Sequence, residues 1–249
     1  MANTFFSFKQ FTVQQSNCAM KVCTDACLFG AWTAQQIHLH LPSPRQVLDI
    51  GTGTGLLSLM LAQQIPTPIT AVEIDEAAAT QAKDNFSHSP WPHQLQVQVA
   101  NIISFTSPTL FDWIVSNPPF YENDLPSVQP NRNTALHSSQ LTLQQLLQAI
   151  HRLLSPEGFA TLLLPYHRFN YFQELAANVS LHIHAHTQVH QTTRHGAFRS
   201  MVLISKMPAI QTTTNNITIK NGATYTSEFE QLLHPYYLYV PSNAPTATR

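Results

Sequence analysis

Short apolar runs rich in β-branched residues alternate along the chain with stretches of helical periodicity. The runs predict strands at 45–50, 69–74, 95–100, 111–116, 159–164, 181–190 and 199–205, and helices at about 56–65, 76–86, 143–154 and 168–178. This alternation is typical of a parallel sheet with crossover helices. A short loop around Gly196 joins the last two strands, so they predict an antiparallel hairpin at a sheet edge. The pattern therefore predicts an α/β fold with about seven strands.

The two ends of the chain lie outside this alternation. Residues 1–24 have no interpretable period, whereas a polar linker, Thr212 to Asn216, leads to a short strand and a helix opened by the capping box Ser227-x-x-Glu230. We expect an N-terminal accessory segment (1–24), a catalytic domain (25–207), and a C-terminal strand and helix extension (208–249) that packs on the same domain.

Composition narrows the class of protein. The chain has 249 residues, 43% of them hydrophobic, and a net charge of -1, which excludes a disordered chain. No apolar run approaches the roughly 18 residues of a membrane helix, and the first residues do not resemble a secretion signal. We expect a soluble cytoplasmic protein whose cysteines, Cys18, Cys23 and Cys27, are reduced thiols. With 12 Lys and Arg against 13 Asp and Glu, a nucleic-acid partner requires a local basic patch.

A glycine-rich turn follows the first strand of the alternation. Gly51, Gly53 and Gly55 have the spacing G-x-G-x-G, and Leu56 occupies the position where a dinucleotide fingerprint needs a small residue, which disfavours NAD. Glycines at this place let the backbone approach a ligand closely.

Acidic and amide side chains accompany the turn. Asp49 precedes it, and Glu73 ends the next strand, from where a carboxylate can accept hydrogen bonds from both hydroxyls of a ribose. Asn101 follows the third strand, where its side-chain oxygen can accept from an adenine amino group. Together these residues indicate a site for S-adenosylmethionine.

The fourth strand runs directly into Asn117-Pro118-Pro119-Phe120, a loop stiffened by two prolines. An amino group conjugated to a ring is a poor nucleophile, and acceptors on its hydrogens favour a nucleophilic geometry. The Asn117 amide oxygen and the Pro118 carbonyl are suitable acceptors. Phe120 offers a face for stacking a planar base, and Tyr121 can extend it. Methyl transfer from a sulfonium needs alignment rather than a strong base or a metal.

At this point the sequence resembles the class I methyltransferases of amino nitrogens, whose signature is (D/N/S)-PP-(Y/F), and more closely the bacterial tRNA(Val) adenine-37 N6-methyltransferases. The resemblance covers nearly the whole chain, in the blocks Phe8 to Val13, Cys18 to Val22, Thr24-Asp25, Gly30 to Trp32, Val47 to Leu61, Ala71 to Glu73, Ser116 to Phe120 and Tyr236 to Leu238. It implies a Rossmann-like class I methyltransferase fold.

The resemblance also implies a reaction and a set of site residues. The product is N6-methyladenosine beside the anticodon, in the anticodon stem-loop of tRNA. The implied residues contact the cofactor (Asp49, Gly51, Gly53, Gly55, Glu73, Asn101, Thr24 and Asp25) or the reacting base (Asn117, Pro118 and Phe120). We further expect Tyr121, Arg132 and Lys9 to contact the RNA, and the protein to be a monomer or weak homodimer. Asn101 stands where many relatives have Asp, and Cys23 stands where a small residue is expected.

Two questions stay open from the sequence. The loop alone is equally suited to a protein glutamine, an rRNA guanine or a DNA adenine, and a non-catalytic RNA-binding module would keep the same fold.

His182, His184 and His186 alternate along one strand, which predicts one shared face. No Cys or carboxylate accompanies them, so we expect no metal site. Our hypothesis is that this face carries a pH-dependent positive charge toward RNA.

Overall fold

The computed structural model describes residues 3–16, 21–118 and 141–239. Within these ranges the strands are β1 (Phe5–Ser7), β2 (Thr12–Gln14), β3 (Val47–Ile50), β4 (Ile69–Glu73), β5 (Leu95–Val99), β6 (Phe111–Ser116), β7 (Leu154–Pro165), β8 (His182–Thr192), β9 (Ala197–Ser205), β10 (Thr213–Asn221) and β11 (Thr224–Tyr225). The helices are α1 (Thr24–His40), α2 (Leu56–Ala62), α3 (Glu76–Ser87), α4 (Leu143–Leu153), α5 (Phe169–Asn178) and α6 (Ser227–Leu233). No helix in the described ranges is long and apolar enough to cross a membrane.

Nine strands form the main sheet in the order β11-β10-β8-β9-β7-β6-β3-β4-β5. Strands β7, β6, β3, β4 and β5 are parallel neighbours, and β9 is antiparallel to both β7 and β8. The predicted α/β class is therefore confirmed. The sheet has two strands more than predicted, and the position of the β8–β9 hairpin at the edge is wrong, because β10 pairs in parallel with β8.

Apolar side chains fill both faces of this sheet. One core contains Cys27, Leu28 and Phe29 of α1 together with α2 and α6, and the other contains Leu146, Leu147 and Ile150 of α4 together with α5. β3 and β6 are buried along their whole length, as expected for the centre of a parallel sheet covered on both sides. Covered strands of this kind leave only their ends accessible to a ligand.

The N-terminal hairpin packs against the segment that follows α6. The β1–β2 hairpin buries Phe8 and Phe11 in the first core, and Phe8 forms a bridge with Tyr237. At the C-terminal side, part of the predicted polar linker belongs to β10, and Thr226 rather than Ser227 caps α6 by accepting a hydrogen bond from the Phe229 N–H. Thr226 precedes the first helical residue, which is where a cap must lie.

Candidate functional site

Four neighbouring parallel strands, β6, β3, β4 and β5, end at the same edge of the sheet. Their ends bring together Asn117, the glycine turn that begins at Gly51, Glu73 and Asn101. We call this the carboxyl edge. Ligands of open α/β sheets bind at such an edge, beyond the ends of the strands. The sequence therefore predicted correctly which strand ends come together.

The three glycines of the turn have different structural roles. All have positive φ angles, +71° at Gly51, +55° at Gly53 and +83° at Gly55, which L side chains rarely adopt. A Cβ on Gly51 or Gly53 would meet nothing within 4 Å, whereas one on Gly55 would lie 2.4 Å from the ring of Phe86. The first two glycines therefore leave open space at the carboxyl edge, and the third allows the turn to pack on α3.

Asp49 lies beneath this turn and is fully buried. Its Oδ2 accepts hydrogen bonds from the hydroxyls of Thr52 and Ser58, both at 2.7 Å. Its Oδ1 has no partner in the described part of the chain. Burial raises the pKa of Asp49 to about 6. A buried acceptor without a partner, beneath a turn with open space at Gly51 and Gly53, fits a ligand that carries polar hydrogens.

Glu73 connects the end of β4 to the glycine turn. Its Oε2 accepts from the Gly53 N–H at 2.9 Å, and its Oε1 accepts from the N–H groups of Ile74 and Asp75 at 2.8 and 3.0 Å. A carboxylate has about four acceptor positions, so one is left over. Binding both hydroxyls of a ribose therefore requires one backbone hydrogen bond to be released or shared.

Asn101 is exposed after β5 and shapes its own loop, because its Oδ1 accepts from the Ile103 N–H at 3.0 Å. Three apolar side chains around it are exposed: Ile74 (61%), Val99 (57%) and Ile103 (45%). None of the three was predicted from the sequence as a site residue. For Ile74 the sequence contained a signal, because this apolar residue directly follows Glu73, an acid that ends a strand. An apolar side chain at such a position lies beyond the hydrophobic core.

Asn117 is half-buried and Pro118 is buried at the end of β6. The Ser116 hydroxyl donates to the Ile50 carbonyl at 2.9 Å, which holds the end of β6 beside the end of β3. Asn117, the residue after β6, therefore lies next to the glycine turn. Phe120, Tyr121 and Arg132 lie outside the described residues.

Thr24 and Asp25 are the first two residues of α1. The Asp25 carboxylate accepts from Arg199 Nε at 2.7 Å, and Arg199 lies on β9 opposite Pro165 at the end of β7. Burial opposes ionisation, but hydrogen bonds from Cys23 and Arg199 hold the pKa of Asp25 below its usual value. This ion pair fixes the start of α1 near the neighbouring strand ends.

Lys9 contacts the C-terminal segment. Its ammonium donates to the His234 carbonyl at the end of α6, and its N–H donates to the Tyr236 carbonyl at 2.8 Å. A lysine at the end of a helix stabilises its unpaired carbonyls. These contacts give Lys9 a structural task that does not depend on RNA.

The shared face predicted for the histidines is wrong. A bulge between Ile183 and Ala185 changes the register of β8. His184 bonds to Ser205, whereas His186 bonds to Ser200, on the opposite face of β9. His186 is buried against the ring of Phe169, and burial lowers its pKa to about 4, so it carries no charge near neutral pH. No group of three metal-ligating side chains occurs in the described residues.

Known proteins agree with this architecture. Residues 33–158 match the model of the Methyltransferase small domain. A tRNA1(Val) (adenine(37)-N6)-methyltransferase of Phocaeicola vulgatus is 40% identical over 96% of this chain and 99% of its own length. One from Vibrio parahaemolyticus is 37% identical over 94% and 95%. The crystal structure of a predicted O-methyltransferase from Agrobacterium tumefaciens has a TM-score of 0.59 at 15% identity, over 87% of this chain and 98% of that one. The Rossmann-like methyltransferase fold is thereby confirmed.

Proposed function

The chain belongs to the tRNA1(Val) (adenine(37)-N6)-methyltransferase family, and on this premise we propose that it methylates N6 of the adenosine at position 37 of tRNA(Val), using S-adenosylmethionine. One observation carries the proposal: β6 delivers Asn117 directly beside the glycine turn that follows β3. A cofactor over the turn and a base against Asn117 are then neighbours. The reaction needs only this proximity and alignment from the protein.

S-adenosylmethionine supplies an electrophilic methyl group. The residues that we propose to hold it are Asp49, Gly51, Gly53, Gly55, Glu73, Asn101, Thr24 and Asp25. The support is the space above Gly51 and Gly53 and the unpartnered Oδ1 of Asp49. The exposed apolar side chains of Ile74 and Ile103 offer a surface for the adenine ring, since exposed apolar groups at a strand end favour burial by a ligand.

The acceptor amino group is held by the loop after β6. We propose that the Asn117 amide oxygen and the Pro118 carbonyl accept its two hydrogens, so that the nitrogen lone pair is directed toward the methyl group. Phe120 stacks on the base, and Tyr121, Arg132 and Lys9 assist in binding RNA. An adenine in the anticodon loop is unpaired, so extruding it costs less than flipping a base from a duplex.

The test uses purified protein, S-adenosylmethionine and unmodified tRNA(Val) transcript, followed by nucleoside digestion and mass spectrometry. We expect N6-methyladenosine with wild type and a loss of at least about 100-fold in rate with Asn117→Ala, since preorganised acceptors contribute at this level. Asn178→Ala is the matched control, because Asn178 is exposed at the end of α5.

Other outcomes identify other functions. Methylation of a protein glutamine, an rRNA guanine or a DNA adenine instead of tRNA would replace the proposed acceptor. RNA binding without any methyl transfer, even with native tRNA, would indicate a non-catalytic module. Because one chain supplies all four strand ends, we further propose that it works as a monomer or weak homodimer, in the cytoplasm where tRNA is modified.

A further inference from the structure

Charge is unevenly distributed along the sequence. Residues 158–227 contain one carboxylate, Glu174, against five Lys and Arg and six His, although acids and bases are balanced in the whole chain. This stretch forms the part of the sheet from β7 to β10. The acids Glu73, Asp75 and Glu76 lie instead at the end of β4 and the start of α3. Directly after this stretch, the first turn of α6 adds Glu228 and Glu230. At the strand ends themselves, the side from β7 to β10 therefore has cationic residues, and the β4 side has carboxylates.

Three strands on the side with cationic residues, β7, β8 and β10, end at the same carboxyl edge as β6. β7 and β8 run in the same direction as β6 through the sheet, and β10 is parallel to β8, so their last residues lie at that same edge. We define the basic strip as His167 and Arg168 after β7, Arg194 and His195 in the β8–β9 loop, and Lys220 near the end of β10. Four strand spacings of about 4.8 Å separate β6 from β10, so the strip extends about 19 Å beyond Asn117.

Side chains of the strip are accessible. His167, Arg194 and His195 are exposed, and Arg168 and Lys220 are half-buried with their charged groups over the rings of Tyr171 and Tyr225, at 5.2 and 5.5 Å. Two cationic groups of the strip, those of Arg168 and Lys220, thus stand beside aromatic rings, an arrangement typical of surfaces that bind nucleic acid. Arg199 is excluded from the strip because Asp25 neutralises it.

We propose that the basic strip binds the phosphate backbone of the RNA whose base enters the site at Asn117, an inference that rests on the proposed function. Charge complementarity favours RNA as the occupant, because phosphates are its dominant feature and the acids on the β4 side repel them. The strip fixes the direction of the RNA: the stem leaves Asn117 over β7, β9, β8 and β10, and away from β4 and β5.

The test measures binding of unmodified tRNA(Val) transcript without S-adenosylmethionine, at 50 and 200 mM salt. Each phosphate contact contributes about 0.7 to 0.9 to the slope of log Kd against log salt, so Arg194→Gln should make the ratio of the two Kd values about threefold smaller. Arg194→Glu with Lys220→Glu should weaken binding at 50 mM salt about tenfold or more. Lys83→Glu, an exposed reversal on α3, is the matched control and should retain the wild-type Kd.

Unchanged binding of S-adenosylmethionine by each variant shows that the fold is intact. Strip variants that bind the transcript like Lys83→Glu would overturn the strip and leave the proposed function standing, with an acidic protein as the next partner to test on this surface. Weakened binding by the strip variants without any methyl transfer by wild type would overturn the proposed function and keep the strip. A wild type that does not bind the transcript would overturn both.

Discussion

Asp49 combines a full burial, a raised pKa and an oxygen without a partner. Its pKa in the folded protein is about 6, compared with an ordinary value of 3.8. Between these values the folded state binds more protons than the unfolded state, so stability falls as pH rises from about 4 to 6 and is constant above. The ionised carboxylate therefore costs the folded protein about 3 kcal/mol at pH 7. Such a cost is typical of a group retained for a ligand.

Replacing this carboxylate tests that interpretation. Asp49→Asn should remove the loss of unfolding free energy between pH 4 and 6, because the amide does not ionise. It should also lower the affinity for S-adenosylmethionine about tenfold or more, since a charged acceptor is lost. Denaturant unfolding at several pH values and calorimetric binding measure the two effects, with the exposed Asp84→Asn as control. Parallel stability curves for Asp49→Asn and wild type would contradict the assigned pKa.

The sequence predicts the positions of some residues of the candidate site but not the contacts of others. The sequence allowed Asp49, Glu73 and Asn117 to be placed at the carboxyl edge, because each lies at or next to the end of a buried strand with a clear apolar run, and the ends of parallel strands meet at one edge. The pairing of Asp25 with Arg199 was missed, since the two lie 174 positions apart and local pattern carries no information about such contacts.

At the scale of elements, Asn85 of α3 joins two others. It is buried, and its side chain donates to the carbonyls of Gln14 in β2 and Thr54 in the glycine turn, at 2.9 and 2.8 Å. It also accepts from the Gln14 N–H at 2.9 Å. One side chain thus connects the N-terminal hairpin to the turn that forms the candidate cofactor site.

Asn85→Ala should therefore destabilise the protein by about 3 kcal/mol, because three hydrogen bonds are lost. We also expect faster hydrogen exchange at the Gln14 amide and weaker binding of S-adenosylmethionine, because the Thr54 carbonyl is no longer held. Asn178→Ala provides the control. A loss of stability no larger than that of the control would show that the hairpin is attached independently of Asn85.

The elements themselves were predictable where an apolar run is bounded by Pro, Gly or a charge, as for β3, β4 and β6. β10 was partly missed, since its first four residues are exposed and polar and only pairing with β8 makes them a strand. The bulge in β8 was missed for a related reason. Alternation read along a strand assumes an unbroken register, and nothing in the local sequence around His184 marks the extra residue.

At the scale of the whole molecule, the N-terminal hairpin and the segment around Tyr236 contribute to one core. The hairpin contributes Phe8 and Phe11 to the same core as Tyr236, and the side chain of Gln63, directly after α2, donates to the Pro235 carbonyl at 2.8 Å. Described residues of all three segments predicted from the sequence, 1–24, 25–207 and 208–249, thus share one hydrophobic core. We propose that residues 1–24 and 208–249 together pack on one side of the catalytic domain. This packing keeps the candidate cofactor site rigid.

Tyr236→Ala tests this packing. The side chain is 1% exposed, so its removal should cost about 3 to 5 kcal/mol through lost burial and a cavity. If the two segments support each other, the hairpin should loosen as well, and the Lys9 amide, which donates to the Tyr236 carbonyl, should exchange faster with solvent. Tyr239→Ala is the matched control, because Tyr239 is 78% exposed. Denaturant unfolding and hydrogen exchange by mass spectrometry measure both effects. A Tyr236→Ala protein that is destabilised while its hairpin amides stay protected would show that the C-terminal segment closes the core alone.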